Sequence, residues 1–290
     1  DLGLTDWNRR NVYDNLRRRF DQAPFTGQSS NSERMKAWKQ RVESLRVKLS
    51  TEPAEPARNI YQRAIQRWPD DFRLHWNYAD FLEATGDRSG AVTEWKAVQQ
   101  LIPQHQVAPY QIGRLLAEQA QWPEAREWLL KALAIRPDLS EGWCELGRVQ
   151  YATSQFDEAF ESFDRARQLV PEEPRYHFEL GKTLAKLLRK NESFAELRKA
   201  VRLDPASWEA HYVLGENLAF DNQLREARRE FEETLRLNPG YAMAHLNLGV
   251  ALVKEGALTE ARAHFEQALL LDPKNTLAAR ALSQLSERHH

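Results

Sequence analysis

The sequence predicts an all-α fold, a solenoid of stacked helix–turn–helix repeats, and three observations carry that prediction. First, prolines recur on a clock: Pro69, Pro103, Pro137, Pro171, Pro205, Pro239 and Pro273 are each 34 residues apart. Second, small residues keep the same period. Gly113, Gly147, Gly181, Gly215 and Gly249 are 34 apart with Ala79 in the first slot, and Ala91, Ala125, Ala159, Ala227 and Ala261 repeat it with Ser193 filling the gap. Third, the apolar residues within each period follow helical spacing, and glycine and proline are otherwise scarce, at 12 and 13 of 290 residues. A fixed period of this length marks a repeat architecture. A helical hairpin cannot bury its own apolar face, so neighbours must stack.

Composition narrows the function. Hydrophobic residues make up 42% of the chain, enough for a core, while 29% are charged and the mean hydropathy is −0.69. No apolar run approaches the roughly 18 residues of a membrane span. Lys and Arg total 41 against 42 Asp and Glu, so no global field favours nucleic acid. The excess is local: residues 1–50 carry 11 basic and 6 acidic side chains. One cysteine, Cys144, excludes an internal disulfide framework and a cysteine-based zinc site. The chain opens on Asp1 without a signal peptide, so it reads as a trimmed or processed fragment; cytoplasm and periplasm both remain open.

The elements follow in order. Residues 1–31 read as an N-terminal helix and linker. Thr5 opens the helix, Trp7, Val12, Tyr13, Leu16 and Phe20 line its apolar face, and QAPFTGQSSNS is rich in turn residues. Residues 32–71 read as a degenerate first repeat. Its second half carries Ala57, Tyr61, Ala64 and Pro69 in register. Its first half departs, with Leu45 where Gly or Ala is due, and reads as an amphipathic helix with Met35, Trp38, Val42, Leu45 and Leu49 on one face.

Six full repeats follow, 72–105, 106–139, 140–173, 174–207, 208–241 and 242–275. In the last, His245, Leu248, Gly249 and Leu252 form one face of a first helix, Gly256 breaks it, and Ala261, Phe265, Ala268 and Leu269 mark the second. Pro273 blocks further extension. Residues 276–290 read as a capping helix opened by Asn275, with Leu277, Ala281, Leu282 and Leu285 apolar. His289 and His290 read as tag remnants.

This pattern, with small residues at places 8 and 20 and Pro at place 32 of a 34-residue helical pair, resembles the tetratricopeptide repeat (TPR) family over residues 72–275. The resemblance implies a right-handed superhelix whose concave groove is lined by places 2, 5, 9, 12 and 13 of each first helix. It implies a protein or peptide partner and is compatible with self-association. Two family variants are disfavoured. No repeat has the Lys at place 5 and Asn at place 9 that clamp a carboxy-terminal peptide. The Asn ladder of glycosyltransferase relatives at place 6 is interrupted, reading Asn77, Gln111, Glu145, Glu179, Val213, Asn247.

Catalytic signatures are poor, and neither an enzymatic activity nor a cofactor or metal is expected. Gly181-Lys182-Thr183 lacks the glycine five residues earlier that a phosphate loop needs, since Tyr176 stands there. Asn191-Glu192-Ser193 reads as a chance glycosylation sequon. His75, His177, His211 and His245 share place 4, but equivalent atoms on stacked helices stand roughly 8–10 Å apart, so no metal joins successive members. They read as half-buried packing residues, and Cys144 as a small apolar groove residue.

The candidate ligand-binding residues are Trp76, Tyr110, Phe178 and Tyr212 at place 5, Arg114, Arg148 and Lys182 at place 9, and Lys186 one turn on. Places 5 and 9 are helix neighbours, so the central repeats present a basic stripe beside an aromatic one. Arg175 flanks it, and Asp80 and Glu216 bracket it. A plainer reading stands beside this one. The aromatics would pack between first helices, and the cations would pair with carboxylates such as Glu145 and Glu179. Arg17-Arg18-Arg19 reads as the solvated face of the leading helix.

The favoured function is a non-catalytic scaffold that holds an extended acidic and apolar segment in the concave groove. The alternative is the accessory region of a larger enzyme. The stretch DLGLTDWNRRNVY…PFTGQ is similar to junctions in large bacterial proteins that join a hydrolase-type domain to such repeats. Single-stranded RNA binding is disfavoured by the overall charge of −1.

Overall fold

The computed structural model describes residues 54–287. The expected N-terminal helix with its arginine run, the linker, the first half of the degenerate repeat and the terminal histidines lie outside the described residues. Within them are fourteen helices and no strand. They are α1 (Ala54–Arg67), α2 (Phe72–Ala84), α3 (Arg88–Leu101), α4 (Ala108–Glu118), α5 (Trp122–Ile135), α6 (Ser140–Ala152), α7 (Phe156–Leu169), α8 (Pro174–Lys186), α9 (Lys190–Leu203), α10 (Trp208–Phe220), α11 (Leu224–Leu237), α12 (Ala242–Glu255), α13 (Leu258–Leu271) and α14 (Thr276–Glu287). Each full repeat is one helical hairpin, from α2 with α3 to α12 with α13. The chain divides after Pro137 into two compact units, α1–α5 and α6–α14.

Each second helix stops for a local reason. The residue before each proline, from Ile102 through Arg136, Val170, Asp204 and Asn238 to Asp272, leaves the helix with φ between −130° and −135° and ψ between 84° and 88°. The proline ring disfavours helical geometry in its predecessor, so the clock of prolines is a clock of helix ends. First helices end differently. Place 15 of every full repeat has positive φ: Gly86, Ala120, Ser154, Leu188, Asn222 and Gly256. The next N–H reaches back five residues to a carbonyl each time, as from Asp87 to Leu82 at 2.8 Å and from Arg189 to Leu184 at 2.9 Å. This is a Schellman closure, which satisfies carbonyls the helix end would orphan.

Leucine is the least suited residue for that corner. Leu188 sits at φ +59° with its side chain 81% exposed, so no buried contact offsets the strain. Left-handed backbone costs an L-residue about 1–2 kcal/mol. Leu188→Gly is therefore expected to raise the unfolding free energy by about 1 kcal/mol after the larger chain entropy of glycine is subtracted. Urea melts of the two proteins check it, and an unchanged or lower midpoint would contradict the strain.

The hairpins close through one recurrent contact. Place 8 of the first helix faces place 24 of the second. A Cβ on Gly113 or Gly181 would meet Leu129 or Leu197 at 2.7 or 2.5 Å, and one on Gly147, Gly215 or Gly249 would meet the ring of Phe163, Phe231 or Phe265 at 2.5–2.7 Å. The glycine is thus required by the large side chain opposite it. In the first full repeat Ala79 holds place 8 and Trp95 place 24, both fully buried. Place 20 is likewise buried in every repeat, and Ser193 keeps the slot by donating its hydroxyl to the Gly181 carbonyl at 2.8 Å.

At the end of the second unit, Asn275 Oδ1 accepts the N–H of Ala278 at 3.1 Å and opens α14. Ala278 and Leu285 are buried, with Ala281 and Leu282 packed beside them, while Leu277 is 61% exposed. Leu277 was expected on the apolar face. A helix turns about 100° per residue, so burying Ala278 directs Leu277 outward.

Candidate functional site

The first helices position the predicted stripe, and the structure pairs most of its charges. In the first unit Arg114 on α4 donates to Glu83 at 2.5 Å and to Glu118 at 2.6 Å. Glu118 also accepts from Arg88 at 2.6 Å, and those two arginines hold its carboxyl below the ordinary carboxylate range against the upward pull of burial. Arg114 is therefore met by two carboxylates. Tyr110 is half-buried one turn before it. Trp76 is half-buried as well. Its Nε1 donates to Asp80 at 3.1 Å, and its ring lies against Trp95 and edge-on to His105, with centroids 5.5 and 4.8 Å away. His105 in turn accepts the N–H of Ala108 at 3.0 Å and caps α4. Burial lowers its basicity, which suits an acceptor.

In the second unit the balance differs. Glu145 on α6 is buried and accepts from two arginines, Arg148 at 3.0 Å and Arg175 at 2.5 Å. The Arg148 and Arg175 side chains keep 51% and 43% of their exposure, against 6% for Glu145. Two cations thus share one carboxylate and face solvent. Lys182 on α8 reaches Glu179 at 3.0 Å, and its ammonium lies between two rings, 4.9 Å from the Phe178 centroid and 5.1 Å from that of Tyr151. Charge–quadrupole attraction favours that position. Lys186 stands exposed one turn on. The stripe's cations and their pairing carboxylates therefore occur together, as the plainer reading of the sequence held.

Two other place-5 residues belong to the interior. Tyr212 is buried. Its hydroxyl donates to Glu216 at 2.7 Å and accepts from Asn247 Nδ2 at 3.1 Å, and its ring meets Tyr241 edge-on at 4.8 Å. Burial raises its phenol well above the ordinary range. Cys144 is fully buried rather than groove-lining, and burial pushes its thiol up to about 12, so no reactive thiolate forms near neutrality.

The histidines of place 4 hold a role that periodicity alone does not reveal. Each of His75, His177 and His211 is buried with Nδ1 at 2.6 Å from a glutamate nineteen residues later, Glu94, Glu196 and Glu230 respectively. Nε2 meets the carbonyl of the proline six residues earlier, Pro69, Pro171 or Pro205, at 3.0, 2.8 or 3.4 Å. Each ring ties the two helices of its repeat to the turn before them. They are bonded staples, not merely packing residues. The signal was in the sequence: in three of the four repeats where His holds place 4, Glu holds place 23.

The phosphate-loop look-alike is structural too. Thr183 is fully buried and donates its hydroxyl to the Glu179 carbonyl at 2.8 Å. No helix among the described residues is long and apolar enough to cross a membrane.

Comparison with known proteins agrees with this geometry. A family model described as the tetratricopeptide repeat matches residues 55–104, 144–207 and 212–276. Curated proteins give no significant match. Among solved structures, YrrB, described as a TPR protein with an unusual peptide-binding site, is 24% identical with a TM-score of 0.55, over 64% of this chain and 96% of its own. PilF of Pseudomonas aeruginosa is 16% identical with a TM-score of 0.64, over 80% of this chain and all of its own. The C-terminal part of a TPR repeat-containing protein from Cytophaga hutchinsonii is 14% identical with a TM-score of 0.62, over 79% and 94%. At these identities the structures speak for the fold alone. The family match extends over more than half of the chain and coincides with the helical hairpins, their small-residue contacts and their proline stops, and the chain belongs to the tetratricopeptide repeat family.

Proposed function

We propose that the chain is a non-catalytic scaffold whose second unit holds an extended acidic segment bearing apolar or aromatic side chains, laid across the first helices α6 and α8. The observation that carries this reading is the charge surplus there. Among the described residues Arg148, Arg175 and Lys182 form their ion pairs with two carboxylates, Glu145 and Glu179, and Phe178 and Tyr151 flank the lysine. Arginine and aromatic residues are what binding hot spots favour. Lys186 extends the surface. Tyr212 supports it from within by fixing Glu216. In the first unit Arg114, Tyr110 and Trp76 offer contact area rather than net charge, because the cation is already matched. The peptide-binding site described for YrrB is consistent with this use of the fold.

The spacing of the ligand follows from the spacing of helices. Packed helices stand roughly 8–10 Å apart, and an extended peptide advances about 3.3 Å per residue. Acidic residues three apart would therefore meet cations on successive repeats.

A direct test uses two labelled twelve-residue peptides, one with Asp at every third position and Phe or Leu between, the other with Lys for Asp. The acidic peptide is expected to bind the full chain more tightly, and salt should weaken it. Arg148→Ala with Lys182→Ala should reduce that affinity by about two- to thirtyfold, at about 0.2–1 kcal/mol per exposed contact, with an unchanged circular dichroism spectrum. Equal binding of both peptides, or undiminished binding by the double variant at low salt, would move the site elsewhere.

A further inference from the structure

The fourth histidine of the ladder departs from the rule of the other three. Where they face glutamate, His245 on α12 faces His264 on α13. The two Nδ1 atoms lie 3.0 Å apart, and the rings are inclined by 32° with centroids 5.3 Å apart. His245 Nε2 lies 3.1 Å from the Pro239 carbonyl oxygen. A carbonyl only accepts, so Nε2 carries the proton, and in the neutral ring Nδ1 is left with its lone pair directed at His264. Donation from the far nitrogen to a carbonyl is also the usual second-shell arrangement of a metal-binding histidine. Both rings are half-buried, so solvent reaches them.

We propose that His245 and His264 chelate a divalent transition metal through their Nδ1 atoms, with copper(II) or nickel(II) preferred to zinc. The bite sets the preference. With metal–nitrogen bonds of about 2.0–2.1 Å, two nitrogens 3.0 Å apart subtend an angle near about 90° at the metal. Square-planar and octahedral ions want neighbouring ligands at a right angle, whereas a tetrahedral ion wants them wider.

The proton balance closes without a co-reactant. In the neutral pair one proton lies between the two Nδ1 atoms and belongs to His264, whose Nε2 is then unprotonated. On binding, that proton leaves Nδ1 and one is taken up at Nε2 through water, so both Nδ1 lone pairs meet the ion and no net proton is released. Of the nearby charges, Glu232 and Glu260 favour a cation there and Arg228 opposes one. Among the described residues no three His, Cys, Asp or Glu side chains converge on one point, so water would fill the remaining positions. The site lies within one repeat, so it is independent of the spacing that separates successive histidines of the ladder, and it was not foreseen in the sequence.

The test is titration of the full chain with nickel chloride and, separately, copper sulfate in a non-chelating buffer near pH 7.5. His289 and His290 are replaced by Ala in every sample so that the terminal imidazoles contribute nothing. One equivalent of either ion should bind and raise the melting temperature, and the copper resonance spectrum should show coupling to two imidazole nitrogens. His264→Gln leaves neither imidazole nor carboxylate and can still donate to His245 Nδ1, so the fold should survive. Loss of a second-shell partner already costs about 10–100-fold in metal affinity, so removing this ligand should cost at least about tenfold. His245→Gln should do the same, and zinc should bind the parent more weakly than nickel. Binding to His264→Gln as tight as to the parent, or no heat and no thermal shift with either ion, would overturn the assignment.

Discussion

Phe231→Ala is expected to lower the unfolding free energy by about 3–5 kcal/mol, the loss typical of deleting a buried phenyl ring. The ring is fully buried on α11, directly under Gly215 and 6.0 Å from the Tyr212 ring. The Gly215 backbone closes one side of the hollow it fills, which limits how far the site can collapse. The same slot in other repeats holds leucine, Leu129 and Leu197, opposite the same glycine. Phe231→Leu removes fewer atoms and leaves a smaller cavity, so it should cost clearly less than Phe231→Ala. Urea denaturation of the parent and both variants, with slopes compared as well as midpoints, measures this. Equal losses for Ala and Leu would show that volume does not govern place 24.

The second large effect concerns the other side of that contact. Gly181→Leu is expected to destabilise the chain by about 1–3 kcal/mol through overpacking. A Cβ there would already stand 2.5 Å from Leu197 Cγ and 3.2 Å from the Leu197 backbone nitrogen, so the second helix itself would have to move. The Ser193 hydroxyl bonded to the Gly181 carbonyl resists that movement. Its neighbour gives the contrast. Lys182 is not a bare surface cation. It lies instead between two rings and on Glu179, so Lys182→Ala should cost more than a bare surface change, up to about 1 kcal/mol. The two variants melted side by side test the assignment of faces, and a Lys182→Ala loss equal to that of Gly181→Leu would invert it.

How much was legible depended on the kind of physics involved. Backbone sterics write themselves into sequence with a period. A proline forces its predecessor out of the helix, and a glycine is demanded by the ring or leucine across from it, so the hairpins and their close contacts could be placed from residue types. Place 15 was only half legible. Its left-handed corner carries glycine in two repeats, but Ala120, Ser154, Leu188 and Asn222 in the others. The hydrogen-bonded closure tolerates residues that conformational preference would reject.

Side-chain partners were least legible. Spacing put Arg148 and Lys182 on one face of their helices, but it did not say that Glu145 would accept from two arginines while Arg114 would be held by two glutamates. Long charged side chains choose partners by rotamer and by what lies on the next repeat, and a single-helix projection contains neither. The histidine staples were missed for a milder reason: their partner glutamates recur nineteen residues on, a correlation between two helices rather than a pattern within one. Tyr212 shows the limit most plainly. Its place matches that of Phe178, yet a neighbouring Tyr241 and Asn247 draw it into the interior.

The arrangement of hairpins has a consequence for how the chain acquires its structure. Within each unit the substantial helix contacts join elements that are adjacent, or next but one, in chain order, such as α8 with α9 or α8 with α10. Among the described residues no helix from a distant part of the same unit must be captured before a hairpin can form. The loops to be closed are short, and their entropy is recovered as soon as the glycine of place 8 meets its partner at place 24. Chains dominated by such near-neighbour pairings fold fast for their size, because topology, more than length, sets the search. A hairpin emerging from synthesis can gain its partners from the stretch just made, without waiting for the end of the chain.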